Sequence, residues 1–261
     1  MSNILKKICD NKIKEIEQSK SKCSFSTLEK LIKNKENRKF KNLLIESNKN
    51  KKNNIIAEIK KASPSAGILI KDYYPETIAV EYEKSGVGAI SILTEKKFFY
   101  GDIDHISILN KSTNLPIIRK DFIIDEYQIL ESKVYKADAI LLIASLLDDK
   151  KIKSFINLAK KFELDCLLEV HTEEELNRII KIGYPIIGLN NRNLKNLSTN
   201  INNSIKLINK IPKDFVIVAE SGIKEKNDIK LYNEFGIYNF LIGESILKSE
   251  NFSDKINELI N

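Results

Sequence analysis

The chain has little of what metal and redox sites are made from. Its 261 residues include two histidines and three cysteines. Cys9, Cys23 and Cys166 lie far apart and form no C-x-x-C pair. Neither a disulfide framework nor a zinc site follows, and a reducing cytoplasm is the expected setting. His105 and His171 belong to no ligand cluster, so no metal and no cofactor is expected. Long apolar runs are missing too. The longest, around Ala139 to Leu147, falls far short of a membrane span. Met1-Ser2-Asn3-Ile4-Leu5-Lys6-Lys7 turns charged too early for a signal peptide. A Rossmann glycine fingerprint is absent after the first strand-like run, which argues against an open dinucleotide-binding sheet.

What is present is charge and rhythm. Lys and Arg total 43 against 36 Asp and Glu, a net of +7. The lysines are spread along the chain beside Asn and Glu rather than gathered into a phosphate-tracking patch. That distribution points away from nucleic acid and suits an anionic small-molecule substrate. Residues 1–50 carry apolar positions at helical spacing: Ile4, Leu5, Ile8, Ile13 and Ile16, then Leu28, Leu31 and Ile32. They predict two or three amphipathic helices. With no Gly/Ser/Pro-rich linker behind them, they are expected to pack on the rest of the chain and help cover the substrate.

From residue 54 strand-like apolar runs alternate with helical ones. The runs are Ile55–Lys60, Ala89–Thr94, Pro116–Lys120, Ala139–Ile143, Asp165–Glu169, Ile186–Asn190, Val216–Glu220 and Phe240–Gly243. Helical periods fall at Pro75–Lys84, Asp148–Lys161, Thr172–Ile182 and Lys224–Phe235, with cap residues at Asp148, at Thr172 (Glu175 three on, a capping box) and at Asn200. Most strands lack polar alternation, so the sheet is parallel and buried on both faces. Eight such units over residues 51–261 predict a (β/α)8 barrel, with 1–50 as a helical extension.

Chemistry in such barrels sits where strands run into the following loops. Read there, the first strand ends with Glu58 and Lys60, the third with Arg119-Lys120-Asp121-Phe122, the fifth with Glu169 and the sixth with Asn190-Asn191-Arg192. The seventh and eighth end in Glu220-Ser221-Gly222 and Gly243-Glu244-Ser245. Glycine lets backbone N–H groups approach an anion, and the loops after strands seven and eight are the usual phosphate site, with the Ser63 hydroxyl as an addition. Alternation puts Glu58 and Lys60 on one face, Lys120 opposite in direction to Arg119, and Cys166 opposite to Glu169, toward the helices. His171 reads as a surface-loop histidine.

These motifs resemble the indole-3-glycerol-phosphate synthase family. The stretches that carry the likeness are Ile56-Ala57-Glu58-Ile59-Lys60-Lys61-Ala62-Ser63-Pro64-Ser65, Ser91-Ile92-Leu93-Thr94-Glu95-Lys96-Lys97-Phe98-Phe99, Arg119-Lys120-Asp121-Phe122-Ile123, Leu168-Glu169-Val170-His171, Gly188-Leu189-Asn190-Asn191-Arg192-Asn193-Leu194, Ala219-Glu220-Ser221-Gly222-Ile223 and Ile242-Gly243-Glu244-Ser245. The resemblance implies ring closure, decarboxylation and dehydration of 1-(2-carboxyphenylamino)-1-deoxyribulose 5-phosphate, in tryptophan biosynthesis. It implies Lys120 as general acid, Lys60 as partner of the substrate carboxylate, and Glu58 and Glu169 as proton-handling carboxylates. Asn190 and Arg192 would position the substrate, with Glu220 in support. Phe99, Phe122, Leu141, Leu194 and Leu241 would line the aromatic pocket; Ser63, Ser221, Gly222, Gly243 and Glu244 would hold the phosphate. A lysine can serve as this acid if neighbouring cations and partial burial lower its pKa. A sister barrel such as phosphoribosylanthranilate isomerase needs a Cys/Asp pair, and no cysteine closes a strand here. No nucleic-acid or membrane partner is expected, and the chain is expected to act as a monomer.

Overall fold

A computed structural model describes residues 3–32, 36–193 and 197–261. Eight parallel strands close into a barrel: β1 Asn54–Ile59, β2 Ala89–Leu93, β3 Ile117–Lys120, β4 Ala139–Ile143, β5 Asp165–Val170, β6 Ile186–Asn190, β7 Val216–Glu220 and β8 Asn239–Ile242. Each pairs with the next in sequence, and β1 closes on β8 through Asn54 opposite Asn239 and Ala57 opposite Ile242. All eight runs anticipated from the sequence are strands, with ends shifted by at most a residue. The reason is that strands buried on both faces must be apolar throughout.

Strand parity divides the core in two. Ile56, Ala89, Ile118, Ala139, Leu141, Leu167, Ile186, Val216, Val218 and Leu241 fill the barrel. The opposite parity, including Ile55, Ile90, Ile140, Cys166, Leu168, Ile187 and Phe240, packs under the surrounding helices. Cys166 therefore faces the helices, as its parity predicts.

Among the described residues three helices precede β1: α1 Asn3–Lys22, α2 Phe25–Leu31 and α3 Phe40–Lys49. Leu5, Ile8, Ile16 and Leu28 are buried, but Ile13 and Leu31 are 47% and 52% exposed. The apolar stripe is thus narrower than the spacing suggested. Phe40 and Leu44 of α3 join the barrel-interior cluster. There Asn239 Nδ2 donates to Leu44 O at 3.0 Å and Lys41 N–H to Asp165 Oδ2 at 2.9 Å. Asn54, Asp165 and Asn239 begin their strands, so α3 covers the N-terminal mouth of the barrel. α1 lies at the other end, where Lys12 Nζ reaches Asp121 Oδ1 at 2.9 Å just past β3.

Between the strands run α4 Pro75–Lys84, α5 Lys96–Phe99, α6 Asp104–Ser112, α7 Glu126–Val134, α8 Asp149–Lys161, α9 Glu173–Ile182, α10 Asn202–Ile208 and α11 Lys226–Glu234; α12 Glu244–Leu247 and α13 Phe252–Ile260 follow β8. Asp148 caps α8 by accepting from Lys151 N–H at 2.8 Å. Asn200 Oδ1 accepts the Asn202 N–H at 3.0 Å before α10. Thr172 caps α9 through Glu175 N–H at 3.2 Å, but the Glu175 carboxylate takes the N–H of His171 instead of closing a capping box on Thr172. Among the described residues no helix is long and apolar enough to cross a membrane.

Candidate active site

Glu58, Lys120, Glu169, Asn190 and Glu220 all have the inward parity of their strands. Each is the last inward position before the strand gives way to its loop. Glu58, Lys120, Glu169 and Asn190 floor a cavity of about 740 Å³ at the C-terminal mouth. It is lined by Glu58, Lys60, Lys120, Glu169, Asn190 and Arg192, by Phe99, Phe122, Leu141 and Leu241, and by Ser63, Ser221, Gly222, Gly243 and Glu244. Two expected residues differ. Leu194 lies outside the described residues. Glu220 is fully buried and does not line the cavity; it sits beneath the floor, holding Lys120.

The charged floor is tightly paired. Lys60 Nζ pairs with Glu58 Oε1. Lys120 Nζ is 3.2 Å from Glu58 Oε2 and donates to Glu220 Oε2 at 3.1 Å. Burial disfavours the Lys120 ammonium, but Glu220, Glu58 and Glu169 outweigh it and hold the pKa above the ordinary lysine value. This corrects the condition of a lowered pKa: three carboxylates face this lysine from other strands, a fact of barrel register. Burial likewise opposes the Glu58 anion, yet Lys60 and Lys120 pull its pKa down to about 2. Glu169 also stays below the ordinary range: burial raises it, and His171 and Lys120 overcome that. Glu220 moves the other way, pushed up by burial and by Glu169 against the pull of Lys120.

Glu220 Oε1 is buried and has no hydrogen-bond partner among the described residues, and a methyl group on Gly188 of β6 would overlap it. Gly188 is therefore the space in which the Glu220 carboxylate stands. Gly188→Ala is expected to displace Glu220 from Lys120 and lower kcat by about 10²-fold, the scale of an ångström of misplacement. A steady-state assay beside a melting curve checks this. Wild-type turnover in a folded Gly188→Ala protein would refute it.

The apolar wall is set by α5. The Glu95 carboxylate accepts N–H groups of Lys97, Phe98 and Phe99 at 3.2, 2.7 and 3.1 Å, fixing the turn that presents Phe99. Its ring lies 6.2 Å from that of Phe122, centroid to centroid. Ile4, Leu5 and Ile8 of α1 line the same cavity. At the polar end, Ser221 and Gly222 both hold left-handed backbone, with φ of 64° and 82°. Left-handed backbone at the non-glycine Ser221 is a strained conformation of the kind that clusters at ligand-binding turns. A Cβ on Gly243 would stand 2.7 Å from Glu58 Oε1, so this glycine also makes room for the floor. Arg192 crosses the mouth: Nη1 donates to Ser65 Oγ at 2.9 Å and Nη2 to Glu244 Oε2 at 3.2 Å. Asn190 Oδ1 steadies it by accepting Arg192 N–H at 2.9 Å.

Several residues escaped the sequence reading. Lys224, Lys248 and Lys255 also line the cavity, but nothing separates them in sequence from 43 basic residues. Lys12 is another, its side chain only 5% exposed. His171 is not on the surface: its side chain is 9% exposed and stands between Glu169 and Glu175. Among the described residues, no cluster of three or more His, Cys, Asp or Glu is placed to hold a metal ion.

A family model described as indole-3-glycerol phosphate synthase matches residues 5–259. A protein of that name from Acetivibrio thermocellus is 50% identical over 204 residues, 78% of each chain. Another of that name, from Legionella pneumophila strain Paris, is 40% identical over 260 residues, 100% of this chain and 99% of that one. Among solved structures, 3-hexulose-6-phosphate synthase from Salmonella typhimurium superposes with a TM-score of 0.62 at 13% identity, over 79% of this chain and 96% of that chain, a likeness of fold alone. With its motifs in order around a closed barrel, this chain belongs to the indole-3-glycerol phosphate synthase family.

Proposed function

We propose that the paired floor divides the family's reaction among named side chains. The substrate is 1-(2-carboxyphenylamino)-1-deoxyribulose 5-phosphate, and the products are indole-3-glycerol phosphate, CO₂ and water. The observation that carries the assignment is the Lys120 ammonium, aimed into the cavity between Glu58 and Glu220. As the aryl carbon attacks the ketone, negative charge grows on the carbonyl oxygen, and Lys120 donates its proton there. With its pKa held above the ordinary lysine value, the side chain carries its proton when the substrate arrives.

Ring closure leaves an iminium next to the carboxylated carbon. Loss of CO₂ sends its electron pair into that iminium, so the intermediate supplies its own electron sink. Lys60 pairs with the departing carboxylate and then serves as acid in dehydration. Glu169, an anion at neutral pH, takes the proton lost from the ring carbon as water leaves. Glu58 steadies both lysines, and Asn190 and Arg192 orient the substrate. Phe99, Phe122, Leu141 and Leu241 hold the aromatic ring. The phosphate is met by the N–H groups of Ser221, Gly222 and Gly243, with Ser63 close by. The Glu244 carboxylate is already taken by Arg192 and by Lys248 at 2.6 Å, so its share is its backbone N–H.

Incubating purified protein with this substrate should give indole fluorescence, and activity should survive exhaustive chelation. Absence of product would overturn the reading. Loss of turnover with EDTA, restored by a divalent ion, would overturn its metal-free mechanism.

A further inference from the structure

His171 follows β5 directly and stands outside the substrate cavity, behind Glu169. Its Nε2 lies 3.2 Å from Glu169 Oε1 and its Nδ1 3.5 Å from Glu175 Oε2. Both ring nitrogens lie within ion-pair distance of a carboxylate, a pairing that is ionic only when the imidazole is protonated. Glu175 is itself fixed. It accepts the backbone N–H of His171 at 2.7 Å, and its own N–H donates to the Thr172 hydroxyl at 3.2 Å. The side chains of Glu169, His171 and Glu175 are 3%, 9% and 13% exposed. Facing this trio from other strands are Lys120 on β3 and Glu220 on β7.

Charge pairing bears on the state of the imidazole. Glu58, Glu169, Glu175 and Glu220 bring four carboxylates to this cluster, and the two cations Lys60 and Lys120 pair with Glu58 and Glu220. Among the described residues Glu169 and Glu175 have only His171 within ion-pair distance. A neutral imidazole would leave both without a cation beside them, and buried charges without partners are costly. An imidazolium between them supplies that cation.

We propose that His171 is the fixed counter-ion of Glu169, a positioning residue that holds this carboxylate charged and in place from behind the substrate pocket. The inference rests on Glu169 being the proton-accepting carboxylate of the reading above. In support, burial disfavours the imidazolium but Glu169 and Glu175 lift its pKa to about 10. The sign of the linkage follows. Stability from this contact is complete below the ordinary histidine pKa near 6.5 and drains away as pH rises toward 10.

Two measurements test it. The chain has only two histidines, so His105→Gln assigns the imidazole NMR signals. The His171 signal should stay that of an imidazolium through pH 8; a ring neutral by pH 7.5 overturns the proposal. This titration reads His171 whatever reaction the site performs. In His171→Gln, the acid limb of kcat/KM should move up by at least one pH unit, with kcat returning to within threefold of wild type at high pH. A limb that stays put, with activity depressed equally at every pH, marks a merely structural histidine and overturns the proposal. Full turnover in Glu169→Gln would remove the underlying reading, and the positioning role with it, without altering the imidazole titration.

Discussion

Lys120→Met is expected to lower turnover by about 10²–10⁴, the usual contribution of a positioned general acid. Affinity for a non-reacting substrate analogue should change less than tenfold. The methionine keeps the stem's bulk, and the turns after β7 and β8 are untouched. The ammonium's contact with the carbonyl oxygen is worth most when that oxygen carries charge, so its loss falls on kcat. Folding should survive because Glu220, already displaced toward its neutral form, can take a proton once its cation is gone. Steady-state fluorescence, analogue titration and a melting curve separate these effects. A Lys120→Met enzyme with unchanged kcat and a raised KM would make the lysine a mere binding group.

Arg119→Met should do the reverse. This guanidinium points away from the cavity and is 3% exposed. It donates to Thr94 Oγ1 at 3.1 Å, Gln128 O at 3.0 Å, Ser132 Oγ at 3.1 Å and Asp121 Oδ2 at 3.0 Å, and pairs with Glu131 at 2.8 Å. Asp121 also receives the Thr94 hydroxyl at 2.7 Å. Removing one partner of a buried charged network costs about 3–5 kcal/mol. Urea unfolding should report a loss of that size. Lys12 still neutralises Asp121 in the variant, so turnover per folded molecule should stay within about tenfold. Equal losses of turnover in the Lys120 and Arg119 variants would mean that the two side chains have been assigned to the wrong faces.

The difference between these neighbours was legible before any coordinates, because strand alternation needs only the sequence. The same rule placed Glu58 beside Lys60 and sent Cys166 toward the helices. What alternation cannot supply is who meets whom across the barrel. A pKa lowered by nearby cations was the condition set for Lys120, yet register surrounds it with carboxylates from β1, β5 and β7. His171 looked like a surface residue because it does lie in a loop, and its partners are a strand end and the third residue of a helix, joined only by the turn between them. Lys12 is one lysine among many on an amphipathic helix, and its use depends on where that helix docks. Glycines were noticed in turns, but Gly188 matters for an absent methyl inside a strand, which no turn rule would pick out.

The helices before β1 touch both mouths of the barrel, and this bears on how the chain reaches its fold. The partners involved are distant in sequence: Lys12 meets Asp121, Leu44 meets Asn239, and Asn54 donates to Asn239 Oδ1 at 2.9 Å across 185 positions. Loop closure over such distances is costly in entropy before any contact repays it, and topologies of this kind fold slowly. α1 and α2 find their partners on α7, where Ile16 and Leu28 meet Tyr127 and Leu130. The apolar face of α3 has no finished surface until β7 and β8 are in place, because Phe40 and Leu44 pack with Val218 and Leu241. Refolding should therefore end with a slow, concerted step in which β1–β8 pairing and the burial of Phe40 and Leu44 occur together, and partly made chains should be the species most prone to aggregate.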